Sequence, residues 1–148
     1  MSYDNLRKGR CSLHGQFYLV TTVTADRQPL FADFTTARCT IAELRRTHDR
    51  GSVVSMAWVL MPDHLHWLFQ LGEGFALASV MQGFKGRSAR EIRRRGEHRQ
   101  IWQRSYHDHA LRAEEDVQEV AHYLVANPLR AGLVQRAGDY PHWDAMWI

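Results

Sequence analysis

The chain has 148 residues, of which 45% are hydrophobic and 24% charged, and its formal net charge is +3. These values are typical of a globular protein, and we expect residues 1–148 to form a single domain with a C-terminal tail from about residue 130. No apolar run approaches the ~20 residues that span a bilayer, and residues 1–11 lack the apolar middle of a signal peptide, so we expect a cytoplasmic protein without a membrane partner.

The first half of the sequence predicts a strand, a helix and a β-hairpin, in that order. Residues 16–24 (QFYLVTTVT) are rich in aromatic and β-branched side chains, which favour a strand. Apolar residues then recur at helical spacing over residues 36–50. The hairpin is predicted because two apolar runs, residues 53–60 and 64–71, flank a Met-Pro-Asp turn at residues 61–63.

The second half predicts two helices, a short extended segment and a tail that folds back. A helix over about residues 75–95 has an apolar stripe, and residues 101–111 favour a strand or a strand and bend. Residues 113–127 begin with acidic side chains, carry an apolar stripe and precede Pro128, which is typical of a helix and its end. Three aromatic residues should anchor the tail to the body of the domain: Tyr140, Trp143 and Trp147.

Two histidines lie near the start of the second hairpin strand. The strand period sends His64 and His66 to one face, whereas Leu65 and Trp67 point to the other. Histidines on a strand are often hydrogen-bonded structural residues, but aligned imidazoles are also good metal ligands, and chemistry alone would allow zinc or nickel. A catalytic divalent site needs a third protein ligand, for which the amide oxygen of Asn127 is a candidate.

Tyr123 and Asn127 are four residues apart on the last predicted helix, so they lie on the same side of it. A tyrosine at such a position is commonly half buried and structural. As a nucleophile, a phenol with a pKa near ~10 needs help from a metal ion or a base. A phenolate that attacked a phosphodiester would form a phosphotyrosine, which conserves the energy of the broken bond for rejoining strands.

Residues 85–104 are strongly basic, with seven arginines and one lysine against two glutamates. This concentration suggests a polyanion partner, because the planar arginine fork suits bidentate phosphate contacts, although a solvated charged face is the alternative. Aromatic residues in the segment, namely Phe84, Trp102 and Tyr106, could stack on unpaired bases. The candidate DNA-binding residues are Lys85, Arg87, Arg90, Arg93, Arg94 and Arg104.

Four motifs together resemble the REP-associated tyrosine transposases, relatives of the single-tyrosine HUH transposases of small insertion sequences. They are LMPDHLHWLFQL, FKGRSAR, IWQRSYHDHALR and HYLVANPLRAGLV, and the resemblance covers about residues 15–147. It implies an α+β fold of the ferredoxin-like or RRM-like type. In that fold, helices pack on one face of an antiparallel β-sheet, and the metal site lies on the other face.

The resemblance also implies a role for each candidate. His64 and His66 fall on the two metal-binding histidines, Tyr123 on the nucleophile and Asn127 on the third ligand. Such proteins cut and rejoin single-stranded DNA beside palindromic, REP-like hairpins at the nucleoid, using Mg²⁺ or Mn²⁺ and a 5′-phosphotyrosine intermediate. The REP-associated branch implies a monomer, whereas the insertion-sequence relatives act as dimers. The alternatives are a non-catalytic hairpin-binding protein that keeps the fold and a metallohydrolase that uses bound water.

Overall fold

The fold is described by a computed structural model that covers residues 15–112 and 114–146. Within these ranges the chain forms one five-stranded antiparallel sheet with strand order β4-β1-β3-β2-β5. The strands are β1 (Phe17–Val23), β2 (Val53–Met61), β3 (His64–Leu71), β4 (His107–Leu111) and β5 (Trp143–Ala145). The helices are α1 (Phe34–Asp49), α2 (Leu77–Arg94), α3 (Glu114–Val125) and the single turn α4 (Asn127–Arg130).

The predicted hairpin is confirmed as β2 and β3, joined by the turn at Pro62 and Asp63. Strand β3 is the middle strand of the sheet, and it pairs with β1 on one side and with β2 on the other. His66, for example, lies opposite Thr21 of β1 and opposite Val59 of β2. Because β3 is hydrogen-bonded along both edges, its histidines stand on a backbone with little freedom to move.

Apolar side chains are buried on both faces of the sheet, so the domain has two core layers. Helices α1 and α2 cover one face, where three side chains of β3 are fully buried: Leu65, Trp67 and Phe69. Helix α3 covers part of the other face. That second layer includes Val59, Met61 and Leu68 from the strands and Val117, Ala121 and Leu124 from the helix.

The α+β class and the antiparallel sheet are confirmed. Helices α1 and α2 share one face, as expected, but α3 lies on the opposite face, which is the face that carries the histidines. The reason is that Leu68 and its neighbours on that face are also apolar, and the stripe of α3 excludes water from them. The sequence showed that α3 is amphipathic without showing which face of the sheet it would cover.

The helix predicted over residues 113–127 divides at Ala126 and continues as α4, whose first turn contains Pro128. Proline is tolerated there because the N–H groups of a first helical turn have no intrahelical acceptor. Of the predicted extended segment 101–111, only β4 is a strand. Trp102 forms an isolated bridge with Thr24. Residue 113, where the helix was predicted to begin, lies outside the described ranges.

The C-terminal tail folds back onto the sheet, as predicted. Strand β5 pairs with the edge of β2, and the hydroxyl of Tyr140 donates a hydrogen bond to the carbonyl of Leu60 at 2.6 Å. Trp147 lies outside the described ranges. Among the helices that the structure describes, none is both long and apolar enough to cross a membrane.

A buried carboxylate joins α1 to α2. Glu43 is almost fully buried and accepts hydrogen bonds from Arg87 at 2.8 Å, Arg50 at 3.0 Å and Arg46 at 3.2 Å. Burial by itself would raise the pKa of Glu43, but the three guanidinium groups outweigh that effect and lower the pKa. Glu43 is therefore ionised in the folded protein and connects the two helices electrostatically.

Candidate active site

The paired histidines project from β3 into the space beside α3. They lie on the same face of the strand as Leu68, which packs against that helix. Their ring centroids are 4.7 Å apart, and the ring planes meet at 80°. Both side chains are partly buried.

Each imidazole is oriented by a hydrogen bond at its Nδ1 atom. The Nδ1 of His64 lies 2.7 Å from Asp63 Oδ1, and the Nδ1 of His66 lies 2.8 Å from Thr21 Oγ1. Asp63 itself accepts a hydrogen bond from Arg27 Nε at 3.1 Å. A carboxylate can only accept, so Nδ1 of His64 carries the proton. With both Nδ1 atoms engaged, the two Nε2 atoms are the ones available to a cation.

The electrostatic surroundings favour uncharged imidazole at His66. Burial, the charge of His64 and the charge of Arg130 together lower the pKa of His66 from its ordinary value to about 4. For Asp63, burial acts to raise the pKa, but hydrogen bonds from His64 and Arg27 outweigh it and the pKa is lowered. At neutral pH the site thus presents a neutral imidazole beside an ionised carboxylate, which is the protonation state that metal binding requires.

Tyr123 and Asn127 lie side by side, as their spacing predicted, and Arg130 connects them. The side chain of Tyr123 is 64% exposed. The guanidinium carbon of Arg130 lies 3.7 Å from the centre of the Tyr123 ring, and Arg130 Nη2 donates to Asn127 Oδ1 at 3.1 Å. Arg130 belongs to α4 and lies seven residues, or about two helical turns, beyond Tyr123.

Sequence reasoning missed three residues of this site: Thr21, Asp63 and Arg130. Asp63 was considered only as part of a turn, although its position directly before His64 was a usable signal. Arg130 lies three residues after Asn127, in the same motif, and that spacing on a helical turn was another. Nothing in the sequence pointed to Thr21, because it reaches His66 only through the pairing of β1 with β3.

The imidazole nitrogens of His64 and His66 and the amide oxygen of Asn127 are donor atoms of types that suit a catalytic divalent cation. Among the residues that the structure describes, no third histidine, cysteine, aspartate or glutamate joins the pair in a cluster able to hold a metal ion. The predicted third ligand, Asn127, is of another type, and a carboxamide oxygen is acceptable to Mg²⁺ and Mn²⁺. Two imidazole nitrogens and one amide oxygen would leave open positions on such an ion for phosphate oxygens.

Comparison with known proteins gives the family. Residues 12–127 match the family model described as "Transposase IS200 like", a segment that contains both histidines and Tyr123 and ends at Asn127. The REP-associated tyrosine transposase of Escherichia coli K12 is 30% identical over 129 residues, which cover 84% of this chain and 72% of that protein. This chain belongs to the REP-associated tyrosine transposases.

Further relatives agree with that assignment. A putative REP-associated tyrosine transposase of Haemophilus influenzae Rd is 28% identical over 144 residues, 86% of this chain and 78% of that protein. A REP-associated tyrosine transposase solved bound to a REP hairpin has a TM-score of 0.73 at 22% identity, covering 88% of this chain and 77% of that one. A putative transposase from Deinococcus radiodurans has a TM-score of 0.58 at 21% identity, with coverages of 72% and 86%. At these identities the two structures show that the fold is shared.

The six basic residues predicted to contact DNA in this transposase fall into two groups. Lys85 donates to the carbonyls of Gln103 at 2.5 Å, Arg104 at 3.2 Å and Ser105 at 3.3 Å, and burial lowers its pKa. Arg87 is held by the buried carboxylate of Glu43. These two side chains thus use their charged groups in hydrogen bonds within the protein. The other four are exposed, namely Arg90, Arg93, Arg94 and Arg104. Of these, Arg94 also pairs with Glu91 of its own helix.

A groove of about 360 Å³ lies between α2 and residues 100–106. Ala89, Ile101 and Trp102 contribute its apolar lining, and Lys85, Arg93 and Arg104 are among its basic residues. The aromatic residues predicted to stack on bases are not all accessible. Phe84 and Trp102 are buried in the core that α1 and α2 cover, and Tyr106 is only partly buried.

The loop that forms one wall of this groove joins the sheet near His64, whereas α2, the other wall, covers the opposite face of the sheet. Trp102 pairs with Thr24, and the N–H of Gln103 donates to the carbonyl of Val23 at 2.9 Å. Val23 is in turn the β1 residue opposite His64. The loop of the basic groove, but not α2, therefore meets the end of the sheet that carries the metal-site candidates.

Proposed function

We propose that this transposase cuts and rejoins single-stranded DNA beside palindromic hairpins through a covalent link to Tyr123. One observation carries the proposal: an exposed tyrosine, with a carboxamide beside it, is borne by the helix that covers the histidine face of the sheet. Membership of a transposase family supports DNA cleavage as the reaction class. The relative with the same fold that was solved with a REP hairpin supports a hairpin as the target.

In this proposal the cofactor is Mg²⁺ or Mn²⁺, held by the Nε2 atoms of His64 and His66 and the amide oxygen of Asn127. When bound, the ion supplies positive charge next to a non-bridging phosphate oxygen, which makes phosphorus more electrophilic. Thr21 and Asp63 keep the imidazole rings oriented through their Nδ1 atoms.

Tyr123 is the proposed nucleophile. Its hydroxyl oxygen attacks phosphorus and loses its proton to solvent, while the bond from phosphorus to the 3′ oxygen breaks. The leaving 3′ oxygen takes up a proton, and the 5′-phosphate remains attached to Tyr123. Attack by a 3′-hydroxyl on this link forms a new phosphodiester and returns the phenol, so strands are rejoined without another energy source.

The exposed arginines of the basic segment are the proposed phosphate contacts. Arg93 and Arg104 line the groove whose loop joins the histidine end of the sheet, so a strand held there could continue towards Tyr123. Such contacts make binding strongly dependent on salt. The helix that bears Tyr123 covers the histidine face of the same chain, which supports a monomer acting on its own substrate.

A covalent-adduct assay tests the proposal. The protein is incubated with 3′-labelled single-stranded DNA containing a hairpin and Mn²⁺, denatured, and examined for labelled protein. We expect an adduct from the wild type and none from Tyr123→Phe, which should still bind the DNA. Tyr140→Phe is the matched control, because that hydroxyl contacts only the Leu60 carbonyl in the described hydrogen bonds, and it should form the adduct.

The same assay separates the alternatives. A full yield of adduct from Tyr123→Phe would refute the proposed nucleophile. Cleavage by Tyr123→Phe that leaves free ends would identify a metallohydrolase using water. Salt-dependent hairpin binding without nicking at any Mg²⁺ or Mn²⁺ concentration would identify a hairpin-binding protein that has lost catalysis.

A further inference from the structure

We propose that Arg130 is a positioning residue that couples DNA binding to metal binding, by holding Asn127 until a phosphate draws its guanidinium group away. The inference rests on the proposed metal site and adds to it a residue and a coupling that the site alone does not supply. Arg130 joins the proposed nucleophile to the proposed third ligand.

A single guanidinium contacts both of these side chains. It stacks on the Tyr123 ring with its carbon 3.7 Å from the ring centre, and it donates to Asn127 Oδ1 at 3.1 Å. Arg130 is exposed, and among the side chains that the structure describes no carboxylate forms an ion pair with it. Its positive charge is therefore uncompensated beside the position where the scissile phosphate is proposed to lie.

The contact with Asn127 opposes metal binding. A carboxamide oxygen has two lone pairs, and the guanidinium occupies one of them. The charge of Arg130 also repels a second cation that approaches the same oxygen. Without DNA, Asn127 is thus a poor ligand, and the two histidines must hold a metal ion with little help from it.

An incoming phosphate reverses this arrangement. Arginine forms stronger, bidentate hydrogen bonds to a phosphate than to a neutral amide, so the guanidinium should exchange Asn127 for phosphate oxygens. The exchange frees Asn127 for the metal ion and neutralises the repelling charge. Because coupling between two binding events is reciprocal, DNA should tighten metal binding and the metal ion should tighten DNA binding.

The first experiment measures Mn²⁺ affinity without DNA, by isothermal titration calorimetry of MnCl₂ into the metal-free full chain. The parent is Tyr123→Phe, which keeps the ring under Arg130 and prevents cleavage. Adding Arg130→Gln should tighten Mn²⁺ binding by about tenfold, the size expected for one unit charge near a divalent ion in a solvated site. Adding Arg136→Gln is the matched control, because its guanidinium pairs with Asp139, and it should leave the affinity unchanged.

The second experiment measures the coupling by fluorescence anisotropy of a labelled single-stranded hairpin oligonucleotide. Mn²⁺ should tighten binding of this probe by the parent and by the Arg136→Gln variant several-fold. It should have little effect on the Arg130→Gln variant. Since Arg130 and Arg136 are both exposed, all variants should have the melting temperature of the parent.

The inference is overturned if Arg130→Gln leaves Mn²⁺ affinity unchanged, because Arg130 would then not keep the Asn127 oxygen away from the metal ion. Weaker Mn²⁺ binding by Arg130→Gln would also overturn it, since Arg130 would then support the metal site in the absence of DNA. If the parent binds no Mn²⁺ and does not differ from a His64→Ala variant, the proposed function itself fails. That result is distinguishable from the failure of the coupling alone.

Discussion

The buried carboxylate between α1 and α2 gives a prediction about Glu43→Gln. The Glu43 side chain is 2% exposed, whereas its partners Arg87, Arg50 and Arg46 are 37%, 42% and 51% exposed. Glutamine has the same shape but only one carboxamide oxygen. Because both carboxylate oxygens accept from arginine, at least one guanidinium must then face the amide N–H₂ group of glutamine, donor against donor.

The expected cost follows from these contacts. A hydrogen bond to a charged group contributes about 1.5–3 kcal/mol, and one or two such bonds are lost. The arginines are partly solvated, so water replaces some of what they lose, and we expect the free energy of unfolding to fall by about 2–3 kcal/mol in total. For a chain of this size that corresponds to a melting temperature lower by roughly 6–10 °C.

The loss should depend on pH. The pKa of Glu43 in the folded protein lies below its ordinary value of 4.5, so the contribution of its charge is complete above that pH. As the pH falls below 4.5 towards the folded-state pKa, the unfolded chain takes up the proton first and the contribution disappears. The difference in stability between wild type and Glu43→Gln should therefore be large at pH 7 and shrink in this acid range.

Urea denaturation followed by circular dichroism measures both effects. Glu91→Gln is the control, because Glu91 forms an exposed pair with Arg94 on α2, and we expect it to change stability by less than about 0.5 kcal/mol. If Glu43→Gln is no less stable than Glu91→Gln at pH 7, the reasoning is refuted. A difference that stays constant between pH 7 and pH 3 would refute the electrostatic explanation specifically.

Three further predictions concern the candidate site and the basic groove. Thr21→Val and Asp63→Asn should each weaken Mn²⁺ binding by about 10- to 100-fold in calorimetry, because the imidazole rings lose their orienting partners; unchanged affinities would contradict that role. Arg93→Gln and Arg104→Gln should each reduce the salt dependence of hairpin binding by about one unit of slope, whereas Arg87→Gln should destabilise the fold and keep the slope. EDTA should abolish the covalent adduct and added Mn²⁺ should restore it; an adduct formed in excess EDTA would exclude a metal-dependent step.

The sequence predicted those features that depend on residues close together in the chain. The β2–β3 hairpin follows from two apolar runs and a proline-containing turn, and the alternation of side chains then places His64 and His66 on one face. The spacing of Tyr123 and Asn127 placed them together in the same way. These predictions hold because backbone geometry repeats every 2 residues in strands and every 3.6 in helices.

Tertiary packing decided how these local pieces combine. It placed α3 on the histidine face, and it joined Thr21 to His66 across 45 residues of sequence and Glu43 to Arg87 across 44. It also gave Arg87 a structural partner, although its position in a basic segment had suggested DNA. No local pattern contains this information, because such contacts depend on which apolar surfaces bury each other in the whole chain, and an amphipathic stripe specifies only that it will be covered.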